Sequence, residues 1–338
     1  MATTGKNEPC PCGSGRAYEE CCSTGDVLNA NGRMDAQTFS RAVLALLESR
    51  KFKSHEEAQA FIDRLTRARN AAPLEDFSGI SSEQMYRFLH HPFDSPGLID
   101  YNLEIKQFPD APFFRLFSYL MRGVANEDLK ATAQGNLPQK FVQAAALWFY
   151  GEQEYGKLRR YTSFRTETDF FALHTVRLIA ELAGFVRKYK KRFRATKTGK
   201  RVVEQGMDGP AFFDLFRAAT RKFNWAYSDR HPEIPVIQES FLFSLYLLSK
   251  HGSAFRSAAF YGELFMKAFP LALQETPEYS FESREETLLG CYALRTLGRF
   301  GHIFGFVDVD GEEKERWIEK RSVRKTSFLD EWIRFSIS

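Results

Sequence analysis

Cysteine is scarce in this chain outside one short segment. The sequence of 338 residues contains 5 cysteines, and only Cys291 lies outside residues 10–22. The neighbours of Cys291, from Leu288 to Leu294, are mostly apolar. This context predicts that Cys291 is a small buried hydrophobic residue rather than a reactive thiol.

Long apolar runs are also absent. The densest one, Phe241–Leu248, is too short to cross a bilayer. Residues 1–8 contain no apolar signal region. Because the four clustered cysteines would have to stay reduced in order to bind a metal, the sequence predicts a cytoplasmic protein without a membrane span.

The common catalytic motifs are missing as well. There is no phosphate-binding Gly-x-x-x-x-Gly-Lys, no His-Glu-x-x-His, no Gly-x-Ser-x-Gly and no dinucleotide fingerprint. The 7 histidines are scattered, and the adjacent pair His90 and His91 would point in different directions on a helix. These absences favour a non-enzymatic protein. They leave one alternative open, an active site whose residues are brought together only by the fold.

The N-terminal cysteines form two close pairs, Cys10 with Cys12 and Cys21 with Cys22. Two such pairs joined by a short glycine-containing loop suit a closed tetrahedral zinc site of four thiolates. Disulfides are the first alternative, but a vicinal or near-vicinal pair has poor geometry for a bridge. Unrelated free thiols are the second, and they would not explain the clustering. A closed site has no open coordination position, so this zinc would be structural.

The segment Cys-x-Cys-Gly-Ser-Gly-x-x-Tyr-x-x-Cys-Cys, residues 10–22, resembles the SEC-C motif. This motif is best known at the C-terminus of the SecA translocase ATPase and is found as an appendage on many bacterial proteins. The resemblance implies that the four cysteines bind zinc. It also implies that the segment docks a protein or ribosomal partner, as expected for an adaptor or regulator.

The remaining chain predicts a mainly α fold with small β-hairpins. Helical spacing of apolar residues recurs along it, and turn-forming segments separate the helices. The predicted divisions are a zinc-binding motif over residues 1–25, a helical hairpin with a connecting segment over 34–105, a winged-helix-like unit over 106–206, and a helical unit ending in a second winged-helix-like module over 207–338.

One stretch resembles the wing half of a winged helix-turn-helix domain. A helix ends at Gly184, two short strands flank a basic turn, and Thr196-x-x-Gly199 opens the next helix. Gly-Phe-Val recurs about 120 residues later at 305–307, which indicates a weak internal duplication. The whole region is similar to uncharacterised bacterial proteins that often carry a SEC-C motif, a resemblance that implies no activity.

The helix before the basic turn is expected to expose mainly four side chains, a poor set for reading base edges. They are His174, Thr175, Arg177 and Glu181.

Basic charge is concentrated between Arg187 and Arg201, where no acidic residue occurs. These nine cations exceed the chain's net charge of +4, so the rest of the chain is net acidic. They are Arg187, Lys188, Lys190, Lys191, Arg192, Arg194, Lys197, Lys200 and Arg201. Such a segment could follow nucleic-acid phosphates, with Tyr189 and Phe193 stacking on bases. The alternative is a solvated hairpin whose charges prevent edge-to-edge aggregation.

The zinc assignment predicts a defined stoichiometry. Native mass spectrometry of the reduced protein should show one bound zinc ion, because four thiolates complete one tetrahedral site. Changing both Cys21 and Cys22 to Ser should abolish the bound metal, since two ligands are then lost. A reduced protein that is free of metal would contradict the assignment.

Overall fold

A computed structural model describes most of the chain. The described ranges are 36–126, 129–227, 229–280, 282–310 and 321–337. The predicted zinc ligands Cys10, Cys12, Cys21 and Cys22 lie outside them. The chain separates into two compact units, one ending at Phe88 and the other running from Leu89 to Ser336. The finer divisions predicted from the sequence stay predictions.

The N-terminal unit contains α1, α2 and most of α3. Their bounds are Ala36–Ser49, His55–Ala71 and Ser82–His90. Phe39 and Val43 of α1 form a buried cluster with Phe61 and Leu65 of α2. In each helix these residues are four apart and so share one face. This cluster supports the helical pairing that the apolar spacing predicts.

The second unit is mainly helical with small antiparallel sheets. In chain order its elements are β1 Ile99–Tyr101, α4 Pro112–Asn126, α5 Gln139–Leu158, a 3₁₀ turn Glu167–Phe170, α6 Phe171–Leu182, β2 Val186–Tyr189, β3 Arg192–Ala195, α7 Lys197–Gln205, α8 Gly209–Arg221, α9 Pro235–Glu239, α10 Phe241–His251, β4 Arg256–Ser257, α11 Ala258–Ala268, α12 Ala272–Glu275, α13 Arg284–Tyr292, a π-helix Ala293–Gly301, β5 Val307–Val309, β6 Ser322–Lys325, α14 Ser327–Trp332 and β7 Ile333–Phe335. Within the described ranges, no helix is both long and apolar enough to cross a bilayer.

The second unit contains one arrangement of elements twice. In the first repeat, α4 leads through Lys130 to α5, α6, the β2–β3 hairpin and α7, and Lys130 forms an antiparallel bridge with Arg192 of β3. In the second repeat, α10 leads through β4 to α11, α13 with its π-helix, the β5–β6 hairpin and α14. Here β4 pairs with β6. In both repeats, the segment that follows the first helix therefore lies beside the second strand of the hairpin.

Corresponding hydrogen bonds occur in the two repeats. The Thr196 hydroxyl donates to the Gly184 carbonyl at 2.7 Å, and the Thr326 hydroxyl donates to the Gly305 carbonyl at 2.6 Å. Both glycines turn the chain from the helix into the hairpin with positive φ, +81° and +76°, a conformation that favours glycine. The duplication indicated by the repeated Gly-Phe-Val is therefore present in the backbone.

Aromatic side chains join the two repeats and α8. Phe212 of α8 lies 4.5 Å from Trp332, 5.1 Å from Phe114 and 5.9 Å from Phe304 between ring centroids. Phe113 and Phe304, one from each repeat, are 4.5 Å apart. All five side chains are buried. These phenylalanines thus form one common core of the two repeats rather than a separate small core in each.

Two helices end in ways that shape the second unit. α5 continues to Leu158 beyond a kink at Gly151, where φ is +73°. α8 ends at Arg221, before the aromatic residues Phe223 and Trp225. The Trp225 indole then donates to the Ala219 carbonyl at 2.8 Å, which folds this segment back onto α8.

Candidate nucleic-acid interface

The β2–β3 hairpin is anchored by one face and exposes the other. Val186 and Phe193 are each only 2% exposed and fix the inner face to the core. Arg187 pairs with Arg194 in the register, and Tyr189 pairs with Arg192. Because side chains alternate along a strand, these four residues share the opposite face.

The outer face places two like charges directly across from each other. Arg187 and Arg194 are both exposed, and neither forms an ion pair with a described residue. Like charges at directly opposed positions destabilise a strand pair. The Arg187 guanidinium lies 5.8 Å from the ring centroid of Tyr189, which is 50% exposed. The face therefore combines unpaired cations with an accessible aromatic ring.

Lys190 and Lys191 form the turn of the hairpin. Their φ angles are +49° and +58°, as a two-residue type I′ turn requires. This turn prefers Asn-Gly, because residues with a bulky side chain are strained at positive φ. Both lysines are exposed, and the Lys190 ammonium lies 5.5 Å from the Tyr189 ring centroid. Two further cations thus project at the tip at a local conformational cost.

The other predicted cations divide into two groups. Lys197 and Lys200 are exposed on the first turn of α7. Thr196 caps this helix, and its hydroxyl accepts a hydrogen bond from the Gly199 N–H. Three cations have contacts within the protein. Lys188 donates to the Gly135 carbonyl and approaches Glu181. Arg192 is half-buried beside Lys130. Arg201 forms an ion pair with Asp208, which raises the pKa of Arg201.

The hairpin of the second repeat has a different charge pattern. Asp308 and Arg324 occupy directly opposed positions there, and their side chains form an ion pair at 2.9 Å. The corresponding positions of the first repeat are Arg187 and Arg194. The fold therefore accommodates an opposite-charge pair at this place, and the like-charge pair is not a requirement of the architecture.

The expectation that α6 exposes its polar side chains is wrong. His174, Thr175 and Arg177 are between 2% and 4% exposed. They are buried because α6 packs against α4 and α8. Glu181 is partly buried and accepts a hydrogen bond from Arg177 at 3.0 Å. This face of α6 is inside the protein and is not available to nucleic acid.

Glu167 balances the charge of the buried Arg177 of α6 and also bonds His174. Its carboxylate accepts hydrogen bonds from the Arg177 Nε at 2.5 Å and from the His174 Nδ1 at 2.9 Å, and from the Leu137 backbone N–H. Burial raises the pKa of the Glu167 carboxyl, but these hydrogen bonds and the Arg177 charge outweigh burial, so its pKa lies below the usual value. Glu167 is therefore ionised at neutral pH.

A second buried ionic cluster was not found from the sequence. Arg295 of the π-helix donates to both carboxylate oxygens of Asp229, at 2.7 and 3.0 Å, and Arg299 donates to the same carboxylate at 3.3 Å. Two arginines four residues apart within an apolar helical segment are the sequence signal that could have indicated it. Near this cluster, Cys291 is fully buried, as predicted, and burial raises the pKa of its thiol to about 12.

Metal ligands are not brought together elsewhere in the part of the chain that the structure describes. Within it, no group of three or more His, Cys, Asp and Glu side chains could hold a metal ion. The zinc assignment therefore depends on the N-terminal cysteines alone.

Two family models each match a part of this chain. Residues 7–23 match the SEC-C motif, as the cysteine spacing predicts. Residues 111–208 match the Y4jL N-terminal domain. This second match covers the first repeat, from the residue before α4 to Asp208, whose side chain accepts a hydrogen bond at the start of α8. No curated protein matches the chain, and no solved structure does.

The Glu167 cluster predicts a pH-dependent stability. Because the pKa of Glu167 is lowered in the folded state, its contribution is complete above its unfolded value near 4.5 and is lost as pH falls through the lower folded value. At neutral pH, Glu167→Gln should reduce the free energy of unfolding by about 3–5 kcal/mol, since the buried Arg177 loses its counterion. Denaturant titrations from neutral to acidic pH measure this difference.

The difference between wild type and Glu167→Gln should shrink progressively below about pH 4.5. Glu152→Gln is the control, since Glu152 is exposed on α5. It should change stability by less than about 0.5 kcal/mol. A Glu167→Gln difference that stays constant down to acidic pH would contradict the assigned ionisation.

Proposed function

We propose that this chain is a non-enzymatic nucleic-acid-binding protein that holds phosphates with the β2–β3 hairpin. The observation that carries the proposal is the opposed pair Arg187 and Arg194, which lacks an acidic partner among the described residues. The turn lysines Lys190 and Lys191 add charge at strained positions. Local features that cost stability are concentrated where proteins bind a ligand.

We also propose that the first repeat is a winged-helix-like unit. Its order of helix, bridge residue Lys130, two helices and hairpin supports this proposal, and the hairpin would be the wing. The helix that would enter the major groove is α6, but His174 and Arg177 on it are buried. Contact with nucleic acid is therefore made by the wing rather than by a recognition helix.

This mode of contact limits sequence specificity. Phosphate contacts position a protein on nucleic acid, whereas contacts with base edges read the sequence. The exposed cations of the hairpin suit phosphates, and Tyr189 offers a ring on which any unstacked base can stack. The proposed binding is thus strongly dependent on salt and weakly dependent on sequence.

A second binding function belongs to the SEC-C segment. We propose that Cys10, Cys12, Cys21 and Cys22 bind zinc and that the folded segment docks a protein or ribosomal partner in the cytoplasm. The match of residues 7–23 to the SEC-C motif supports this proposal. The protein would then act as an adaptor, with one partner on the zinc segment and nucleic acid on the hairpin.

Arg187→Asp tests the hairpin as the nucleic-acid contact. It reproduces the Asp308–Arg324 pairing of the second repeat, so stability should be unchanged or increased. Affinity for a duplex DNA or a structured RNA should fall about tenfold at low salt. The slope of log K against log salt should decrease by about 1, because at least one phosphate contact is lost. Fluorescence anisotropy over a salt series measures both.

Lys106→Asp is the matched control, since it changes the net charge equally at an exposed lysine far from the hairpin in sequence. A second variant, Lys190→Asn with Lys191→Gly, removes the tip charge while installing the preferred turn sequence. It should raise stability and weaken binding. Equal effects of Arg187→Asp and Lys106→Asp, or no binding by the wild type at low salt, would end the proposal.

The docking function is tested by removing the zinc site in the full chain. Cys21→Ser with Cys22→Ser should lose partners that the wild type captures in a pull-down, since the segment is too short to fold without metal. Arg187→Asp should retain those partners, because its change is confined to the hairpin. An unchanged set of partners after loss of zinc would count against docking by this segment.

A further inference from the structure

A cavity of about 370 Å³ lies at the end of α8, outside the hairpin. Residues of α8, of the following segment and of α9 form its walls, including Phe223, Trp225, Ile234 and Pro235. Its volume falls in the range of small-molecule sites, which are apolar cavities with a few placed polar groups. Neither the hairpin nor the zinc segment explains this cavity.

Arg295 lines the cavity although it is only 2% exposed. Its Nε and Nη2 atoms donate to Asp229, and Nη2 also reaches the His231 carbonyl at 3.3 Å. Its Nη1 atom makes no hydrogen bond with any residue that the structure describes. A buried guanidinium with an open donor edge is suited to a carboxylate.

The charge around Arg295 is incompletely balanced. Asp229 faces both Arg295 and Arg299, so one carboxylate serves two guanidinium groups. Burial raises the pKa of Asp229, but hydrogen bonds from Arg295 and His231 and the charges of the arginines lower it overall. Asp229 is therefore ionised, and the cluster of one carboxylate and two guanidinium groups has a net charge of +1, with the Arg299 side chain partly exposed to solvent.

Other charged groups on the cavity restrict which anion fits. Glu239 is offset by the charge of Arg221, and Lys222 donates to the Leu182 carbonyl. Glu233 accepts only a long hydrogen bond of 3.5 Å from Asn224, which leaves its carboxylate available for a cation. The cavity therefore offers a guanidinium at Arg295 and a carboxylate at Glu233, and a ligand that carries both charges can pair with each of them.

We propose that this cavity binds a small zwitterion of the size of a free amino acid, with its carboxylate on Arg295 and its ammonium on Glu233. The apolar part of the wall, which includes Phe223 and Ile234, contacts the ligand side chain. Arg295 belongs to the π-helix, a form of helix that occurs frequently at functional sites. The site is separate from the hairpin, so its occupancy does not depend on nucleic-acid binding.

The test uses the full-length protein and each of the common L-amino acids in millimolar excess. At least one should raise the melting temperature, because a ligand that binds only the folded state stabilises it. Calorimetric titration of that amino acid then gives its affinity. Its analogues lacking either the amino or the carboxyl group should each bind about tenfold more weakly, since each loses one charged hydrogen bond.

Three variants separate the site from general effects. Glu233→Gln should weaken binding about tenfold, and Ala226→Trp should abolish it by filling the cavity. Glu285→Gln, an exposed carboxylate on α13, should bind as the wild type does. The proposal is overturned if no amino acid stabilises the protein, if inorganic phosphate does so instead, or if the folded Ala226→Trp and Glu233→Gln variants bind the amino acid with the affinity of the wild type.

Discussion

Aromatic packing between the two repeats is the constraint on which the rest of this structure depends. Phe113 of the first repeat and Phe304 of the second are in direct contact, and Phe212 of α8 lies against Phe304. Arg299 of the second repeat lies over the Phe171 ring of the first, at 4.6 Å. The helices that precede the hairpins are thus used mainly for internal packing, and the hairpins themselves stay exposed.

The burial of the helices that precede the hairpins explains the buried ionic clusters. A helix that is enclosed by others can keep an arginine only if a carboxylate balances it. Glu167 does so for Arg177, and Asp229 does so for Arg295. The two clusters differ in two respects, because the second has an additional arginine and borders a cavity.

The two hairpins show how one backbone supports different surface chemistry. Both begin with a glycine at positive φ, and a threonine hydroxyl ties their ends to that glycine. At the central pair, one hairpin has opposite charges and the other has two arginines. The difference is confined to exposed positions, where substitutions change binding with little effect on the fold.

The sequence by itself determined the local features. Glycines, capping residues and apolar spacing predicted the mainly helical class, the hairpins and their recurrence, because these signals act over a few residues. Cysteine spacing identified the SEC-C motif, and charge counting located the basic hairpin. Only the tertiary structure decided that His174 and Arg177 are buried, that Arg187 and Arg194 lack a partner among the described residues, and that Arg295 meets Asp229 beside a cavity. These outcomes depend on contacts between segments far apart in the chain, which no local pattern encodes.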